Sequence, residues 1–364
     1  MKFLQAFMIT GFLKYTTPIH EIDFQQGYTA VCTVDEKPAG KPLVVNASMN
    51  LRNIIKVSEK EQTISLEITL RMFWRDDRLS LKSTAGLPRD STHYNLSYIV
   101  QIGEEISKFW LPDLFVDEAI ETRNPAYKVP TESLRVYEDS SLRFSKRFNF
   151  DVACAMDFTK YPMDRQDCFT RIESFAFTKE DMEFRWLGKD AMDDNPNISL
   201  PQYDHKLYTD EKYITNYYKE NYSGLIFKIG LLRKMNVHIV QDFLPSFLYV
   251  WIAYFAIQMP HRVPQVRSAM VLFPMLALTT LTSRVRSEIP AVSVLTFMDI
   301  WLISCLAFIC SSMVIVVLTA FLKRINKDKL WKRIEFWFKI IYPVIFLTFS
   351  IAYWTSFHSD RISL

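Results

Sequence analysis

Two kinds of hydrophobic pattern divide the chain. Between about residues 50 and 240, apolar and polar positions alternate over short runs such as "TISLEITLRMFW", "SLRFSKRFNFDV", "DMEFRWL" and "SGLIFKIGLL". Turn-forming clusters ("RDDRLS", "YEDSS", "DDNPN") separate them. Alternation with a period of two sends one set of side chains to a buried face and the other to water. With punctuation every roughly 8–12 residues, it predicts an all-β sandwich. From Phe243 the pattern becomes long apolar runs: Phe243–Met259, Ser268–Ser283, Val294–Leu322 and Phe336–Phe357. As helices, such runs suit a hydrocarbon core about 30 Å thick. Trp331, Trp337, Tyr353 and Trp354 fall near run ends, where interfacial aromatics sit.

The predicted architecture is therefore an extracellular all-β sandwich followed by a four-helix transmembrane bundle. The sandwich takes residues 1–242, with 1–20 reading as a signal-like segment or an N-terminal helix. Three membrane helices fill 243–322, a short cytoplasmic loop 323–335, and a fourth helix with an extracellular tail 336–364.

Charge sets the orientation. Lys323, Arg324, Lys327, Lys329, Lys332 and Arg333 crowd the loop before the last run, and His261 and Arg262 the turn between the first two. Both belong on the cytoplasmic side, so an even number of spans returns both termini outside. Sequons at Asn46, Asn95, Asn197 and Asn221 all lie in the alternating half, as glycosylation outside the cell requires. Cys154 and Cys168 enclose a short segment that an oxidising compartment would favour bridging, whereas Cys32 is left odd. Cys305 and Cys310 sit inside an apolar run, as packing residues do.

The net charge of +3 over 364 residues offers no case for a nucleic-acid partner. No Cys/His spacing resembles a zinc site, and no nucleophile–base pair or glycine-rich phosphate loop is present. Neither an enzyme nor a bound metal or cofactor is expected.

The second apolar run carries the functional signal. On a helix, Gln265, Ala269, Phe273, Leu276, Thr280 and Ser283 fall along one stripe, with Thr279 and Thr282 on its flanks. Two readings remain open. The hydroxyls line a narrow aqueous path, with Leu276 as a dewetting gate; or the helix is buried and its Thr and Ser satisfy backbone carbonyls. A pore needs several copies, hence a symmetric oligomer. No acid lies between Asp242 and Glu288, while Arg262 and Arg267 stand at the inner end and Arg284 and Arg286 at the outer end. Positive rings of this kind favour anions over cations.

Four motifs stand out. "CAMDFTKYPMDRQDC" sets Tyr161, Pro162 and Asp164 between two cysteines. "FWLPDLFVDE" joins Trp110, Pro112 and Asp113, and "RMFWRDDRL" joins Trp74 and Asp76. "IPAVSVLTFMDIW" leads into the third span. In the bridge spacing, the Trp-x-Pro-Asp and Trp-x-Asp signatures and the outer linker, the chain resembles the Cys-loop receptors, the pentameric ligand-gated ion channels, and within them the glycine, GABA and glutamate-gated chloride branch.

The resemblance implies a ten-stranded sandwich and a homo- or hetero-pentamer whose second helices line a chloride pore. It implies a plasma-membrane location with the N-terminal domain outside, of the kind found at postsynaptic surfaces. A small-molecule agonist would bind between neighbouring sandwiches. By matching positions, Phe175, Phe177, Tyr217 and Tyr222 supply aromatics on one face; Arg71, Phe73 and Ser145 supply the other, with Arg71 gripping a carboxylate. Cys154 and Cys168 form the bridge. Arg267 and Arg286 act in selectivity. Tyr161, Pro162, Asp164, Arg233, Pro290 and the turn Glu59–Glu61 couple ligand to pore.

Departures stand out. The inner mouth reads Gln265-Val266-Arg267 rather than Pro-Ala-Arg, Phe273-Pro274 interrupts the second helix, and Gly224 replaces a second-bridge cysteine. These count against glycine as agonist. The loop before the last helix is much shorter than is usual in the animal family. The alternatives are a proton- or metal-gated channel of the same fold, with His20, His93, His205 and His238 as titrating candidates, or a cation-selective one.

Overall fold

A computed structural model describes residues 20–24, 28–32, 37, 42–79, 88–91, 96–123, 130–188, 191–217, 220–290 and 294–362. The alternating half forms two sheets. One runs in the order Met182–Trp186, Leu43–Ser58, Thr63–Arg75, Ser141–Ala153, Glu132–Tyr137, Leu96–Ile102 and Arg89–Asp90. The other runs Tyr203–Tyr217, Glu220–Arg233, Arg165–Glu173 and Phe115–Val116.

The predicted face choice holds along Thr63–Arg75 except at Thr69, an outward position that is buried. Ile64, Leu66, Ile68, Leu70, Met72 and Trp74 point into the core of the sandwich. Ser65, Glu67, Arg71 and Phe73, between them, stay at least partly exposed. Antiparallel pairing sets Ser145 directly opposite Arg71 and Arg143 opposite Phe73.

Four helices follow, each long and apolar enough to cross a membrane: Asn236–Gln258, Pro264–Glu288, Phe297–Arg324 and Asp328–Ser356. The first starts seven residues before the apolar run, at Asn236 rather than Phe243. His238 and Asp242, one turn apart and 2.9 Å from each other, hold that polar first turn together. Thr296 and Asp299 close a reciprocal capping box at the start of the third helix.

The segment 323–335, expected as loop, is mostly helix. Only Ile325–Lys327 separate Arg324 from Asp328, and the last helix continues to Ile362. Lys, Arg, Leu and Glu are good helix formers, so charge ends the membrane-embedded part of these helices without ending the helices.

The bundle is sealed outside by aromatic packing. Trp301 is 1% exposed and donates its indole N–H to Ser246 Oγ at 2.8 Å. Its ring meets Phe243, Phe349, Tyr353 and Trp354 from the first and last helices, with centroids 5.0–6.4 Å away. Trp301→Ala removes this buried ring and takes from Ser246 the donor its oxygen accepts from, though the hydroxyl still donates to the Asp242 and Phe243 carbonyls. The expected cost is on the order of 3–5 kcal/mol, against less than about 0.5 for the exposed Trp337→Ala. Thermal melts of the purified protein followed by size-exclusion chromatography read the difference; equal melts would contradict this packing role.

Candidate functional site

The motifs singled out in the sequence build the support of one loop. Asp113 accepts hydrogen bonds from Ser174 Oγ (2.7 Å) and from the backbone N–H groups of Phe175 (3.0 Å) and Ala176 (2.7 Å). One carboxylate thus fixes the exit of the strand Arg165–Glu173. Trp74, Trp110 and Phe177 stack edge to face behind it, with centroids 6.2 and 6.1 Å apart. The loop presents Phe175 outward, 79% exposed, with the Phe115 ring 5.8 Å from it. The ring takes no part in the core of this chain.

Beside it, Thr215 donates to the buried Glu173 at 2.9 Å, and Tyr222 donates to Glu220 at 2.9 Å. Tyr217 ends its strand opposite Glu220, and its side chain lies outside the described residues. Phe177 is half-buried, with the Lys37 ammonium 5.9 Å above its ring.

Arg71, Phe73 and Ser145 form a second group on the outward face of the larger sheet. Sequence reasoning missed the cations around them. Arg143 and Arg135 converge on the buried carboxylate of Asp90 at 3.5 and 2.9 Å, and Tyr137 donates to it at 2.8 Å. Arg52 is turned away and donates to Thr69 Oγ1 at 3.1 Å. Asp90 therefore answers two guanidiniums, while Arg71 has no ion-pair partner among the described residues. Burial, with Arg143 and Arg52 nearby, holds the Arg71 guanidinium below its usual range. The Nε of Arg143 is buried without an acceptor. The cations of this face thus outnumber its carboxylates, Asp90 and, acting on Arg71 from nearby, Asp193. Strand alternation could have revealed it, since Arg143, Arg147 and Ser145 share one parity. No described contact joins this group to the Phe175 loop, so the two groups lie apart within one chain.

Four of the coupling candidates, Arg233, Asp164, Glu59 and Tyr161, meet at one buried point, whereas Lys60 and Glu61 of the same turn are exposed. Arg233 ends the last strand and is 3% exposed. It donates to both oxygens of Asp164 at 2.7 and 2.9 Å and to Glu59 at 2.6 Å. The rings of Tyr161 and Tyr203 cover its guanidinium, each 4.8 Å from the carbon. Burial works against the charge, but Asp164 and Glu59 outweigh it and raise the group above its usual value. Burial likewise pushes the Tyr161 and Tyr203 phenols up.

Cys154 and Cys168 are bridged, and the Tyr161–Pro162 bond inside that loop is cis. The loop reaches the bundle directly. The Thr159 and Tyr161 carbonyls accept from the N–H groups of Phe297 and Met298, at 3.2 and 3.1 Å, at the head of the third helix. The His238 ring packs edge-on against Tyr161 at 5.3 Å, and Glu288 lies within 3.5 Å of its hydroxyl. Pro290 follows, half-buried.

In the second helix, Arg267, Val271, Pro274, Leu278 and Val285 are buried against the chain's own bundle. The opposite side carries Gln265, Phe273, Leu276, Thr280 and Ser283, all exposed, with Ala269 half-buried among them. Thr279, Thr280, Thr282 and Ser283 each donate to a carbonyl one turn earlier, at 2.8–3.1 Å. The two sequence readings are thus compatible: the hydroxyls satisfy backbone and still face outward.

Arg267 departs from the stripe. Its guanidinium is buried, donating to the Ala256 carbonyl at 3.2 Å and to Glu335 of the last helix at 3.3 Å, with His261 alongside. A cation at this depth is held by an available carboxylate rather than left facing a lumen. Glu335, the only acid in "LWKRIEFWFK", was the legible signal. Arg286 pairs with Asp299 at 2.9 Å, and Arg284 with Asp242. Among the sequons, Asn197 and Asn221 are exposed, Asn46 is half-buried, and Asn95 lies outside the described residues. Among the described residues no group of His, Cys, Asp and Glu is arranged to hold a metal.

Arg233→Gln leaves the Asp164 and Glu59 carboxylates buried without a counter-charge. The expected loss is about 3–5 kcal/mol. The exposed Arg185→Gln should cost less than about 1. Thermal unfolding of the purified protein compares them, and matching values would refute the hub.

Two curated proteins align over most of the chain. A gamma-aminobutyric acid receptor subunit beta of Lymnaea stagnalis is 28% identical over 271 residues, 74% of this chain and 54% of that protein. A glutamate-gated chloride channel of Drosophila melanogaster is 25% identical over 293 residues, 79% of this chain and 61% of that protein. The chain therefore spans between half and two thirds of these relatives' lengths. Residues 25–235, which hold both groups and the Arg233 hub, match the neurotransmitter-gated ion-channel ligand binding domain, and the chain belongs to that family.

Proposed function

We propose that the chain is one subunit of a pentameric channel, assembled from identical or related subunits, that conducts chloride and opens when a small amino acid or amine binds between neighbouring sandwiches. The second helix carries this reading. Its apolar stripe is spent inside the subunit, and the face left over changes along its length from Phe273 and Leu276 to Thr280 and Ser283. Lipid has no use for the hydroxyl end, whereas a water-filled axis shared by symmetric copies does.

The Phe175 loop and the Arg71 group support the same assembly. A neighbour that brings the Phe175 loop against Arg71 and Ser145 completes a pocket with an aromatic wall and an uncommitted guanidinium. Such a pocket fits a zwitterion: the ring attracts the ammonium and the guanidinium fork takes the carboxylate. Gamma-aminobutyric acid and glutamate, which name the two relatives, both carry those groups. Anion preference rests on the arginines at the outer end of the second helix and on the relative named as a chloride channel.

Cysteines at Leu276 and Thr280 are expected to react with aqueous thiol reagents applied to membranes, and one at the buried Leu278 to resist them. Reactivity at all three positions, or at none, would end the pore reading. With gamma-aminobutyric acid and L-glutamate as probes, evoked currents should reverse at a potential that follows the chloride gradient. Arg71→Ala should abolish those currents while surface labelling stays unchanged, and an unaltered response would remove Arg71 from the site.

A further inference from the structure

The turn between the third and last helices concentrates charge that the chain itself does not answer. Ile325–Lys327 reverse the chain, with Asn326 at φ 58°. Around that turn Lys323, Arg324, Lys327, Lys329, Lys332 and Arg333 are all exposed. Among the described residues none of their side chains has an ion-pair partner; the Lys332 ammonium lies 5.6 Å above the Trp331 ring.

The nearby acids are engaged elsewhere. Asp328 accepts from the Trp331 indole at 3.1 Å. Glu335 is buried, and its oxygens hold His261 at 2.6 Å, Lys339 at 3.2 Å and Arg267 at 3.3 Å. Inward neutralisation of Arg267 therefore leaves the outward field of the corner uncancelled.

Depth and lining identify the partner. Both flanking helices cross a membrane, and positive charge of this density belongs on the cytoplasmic side. Immediately beside the cations, Phe321, Ile325, Leu330, Phe336 and Trp337 are exposed and apolar. A soluble anion would use the charges and leave that apolar rim wet. An amphiphile with an anionic head uses both, and clustered Lys and Arg next to a membrane helix attract anionic lipid.

We propose that this corner binds anionic phospholipid headgroups of the cytoplasmic leaflet, the acyl chains lying along the apolar rim. The proposal rests on membrane crossing and orientation and is independent of conduction.

The test titrates phosphatidylserine and phosphatidylcholine onto the purified full-length chain in neutral detergent, with bound lipid counted by native mass spectrometry. Wild type should retain phosphatidylserine in preference to phosphatidylcholine, and the quadruple variant K327Q/K329Q/K332Q/R333Q should bind it at least about tenfold more weakly. Raising salt from about 0.05 to about 0.5 M should weaken the wild-type preference as well, and this reading needs no variant to fold. Equal retention by variant and wild type, or a preference indifferent to salt, overturns the proposal. Soluble glycerophosphoserine binding as tightly as the lipid would make the corner a free-anion site. Displacement of the lipid by poly-glutamate at equal charge would make it a protein-docking surface. Either result also overturns the proposal.

Discussion

A single buried guanidinium fixes how the two halves of this chain meet. Arg233 is the last residue of the last strand, three residues before the first membrane helix. Its charge can be buried only because Asp164 from the bridged loop and Glu59 from an early turn are brought to it. Buried ion pairs of this kind add little net stability, since desolvation consumes most of the attraction. They do enforce geometry: a displaced partner leaves an uncompensated charge. The bridged loop, the early turn and the entry to the membrane must therefore move together. The backbone bonds from Phe297 and Met298 to the same loop extend that constraint to the third helix.

What the constraint positions is incomplete in one chain. The Phe175 loop is held by Asp113 and leaves its ring exposed beside Phe115, while the Arg71 face has cations in excess of acceptors. The second helix turns its hydroxyls away from its own bundle. Folding would ordinarily hide such surfaces, because exposed aromatic area and unmatched buried charge both cost free energy. The proposed assembly accounts for their survival, since neighbouring subunits would supply the missing walls.

The sequence told most where one period ruled. Alternation gave the inward residues of Thr63–Arg75, and the outward ones apart from the buried Thr69, because a strand has only two faces. The helix stripe was legible for the same reason. Charged positions were harder. Arg267 read as a selectivity residue from its place at the inner end of the run, but its side chain takes the side where Glu335 waits, and that partner is remote in sequence. The pairing of Arg143 and Arg135 with Asp90 was hidden likewise, since tertiary contacts choose among rotamers that a local pattern leaves equivalent. Helix ends misled for a simpler reason. Hydropathy marks where lipid stops, whereas capping and propensity mark where helix stops, and at 323–335 the two differ.

The three arginines within the second helix show how pairing can grade an electric field. Each has an acid from another helix: Glu335 for Arg267, Asp242 for Arg284 and Asp299 for Arg286. The pairs differ in access to water. Arg267's side chain is 3% exposed, against 43% and 42% for Arg284 and Arg286. A fully buried pair presents little net charge to an adjacent solution, whereas a half-exposed cation keeps part of its field on the water side. The helix is thus tethered electrostatically at both ends, and of its three arginines the two at the outer end keep part of their field on the water side. Under the proposed function, that outer potential would attract an anion, and the exposed hydroxyls of Thr280 and Ser283 would let it pass without being held.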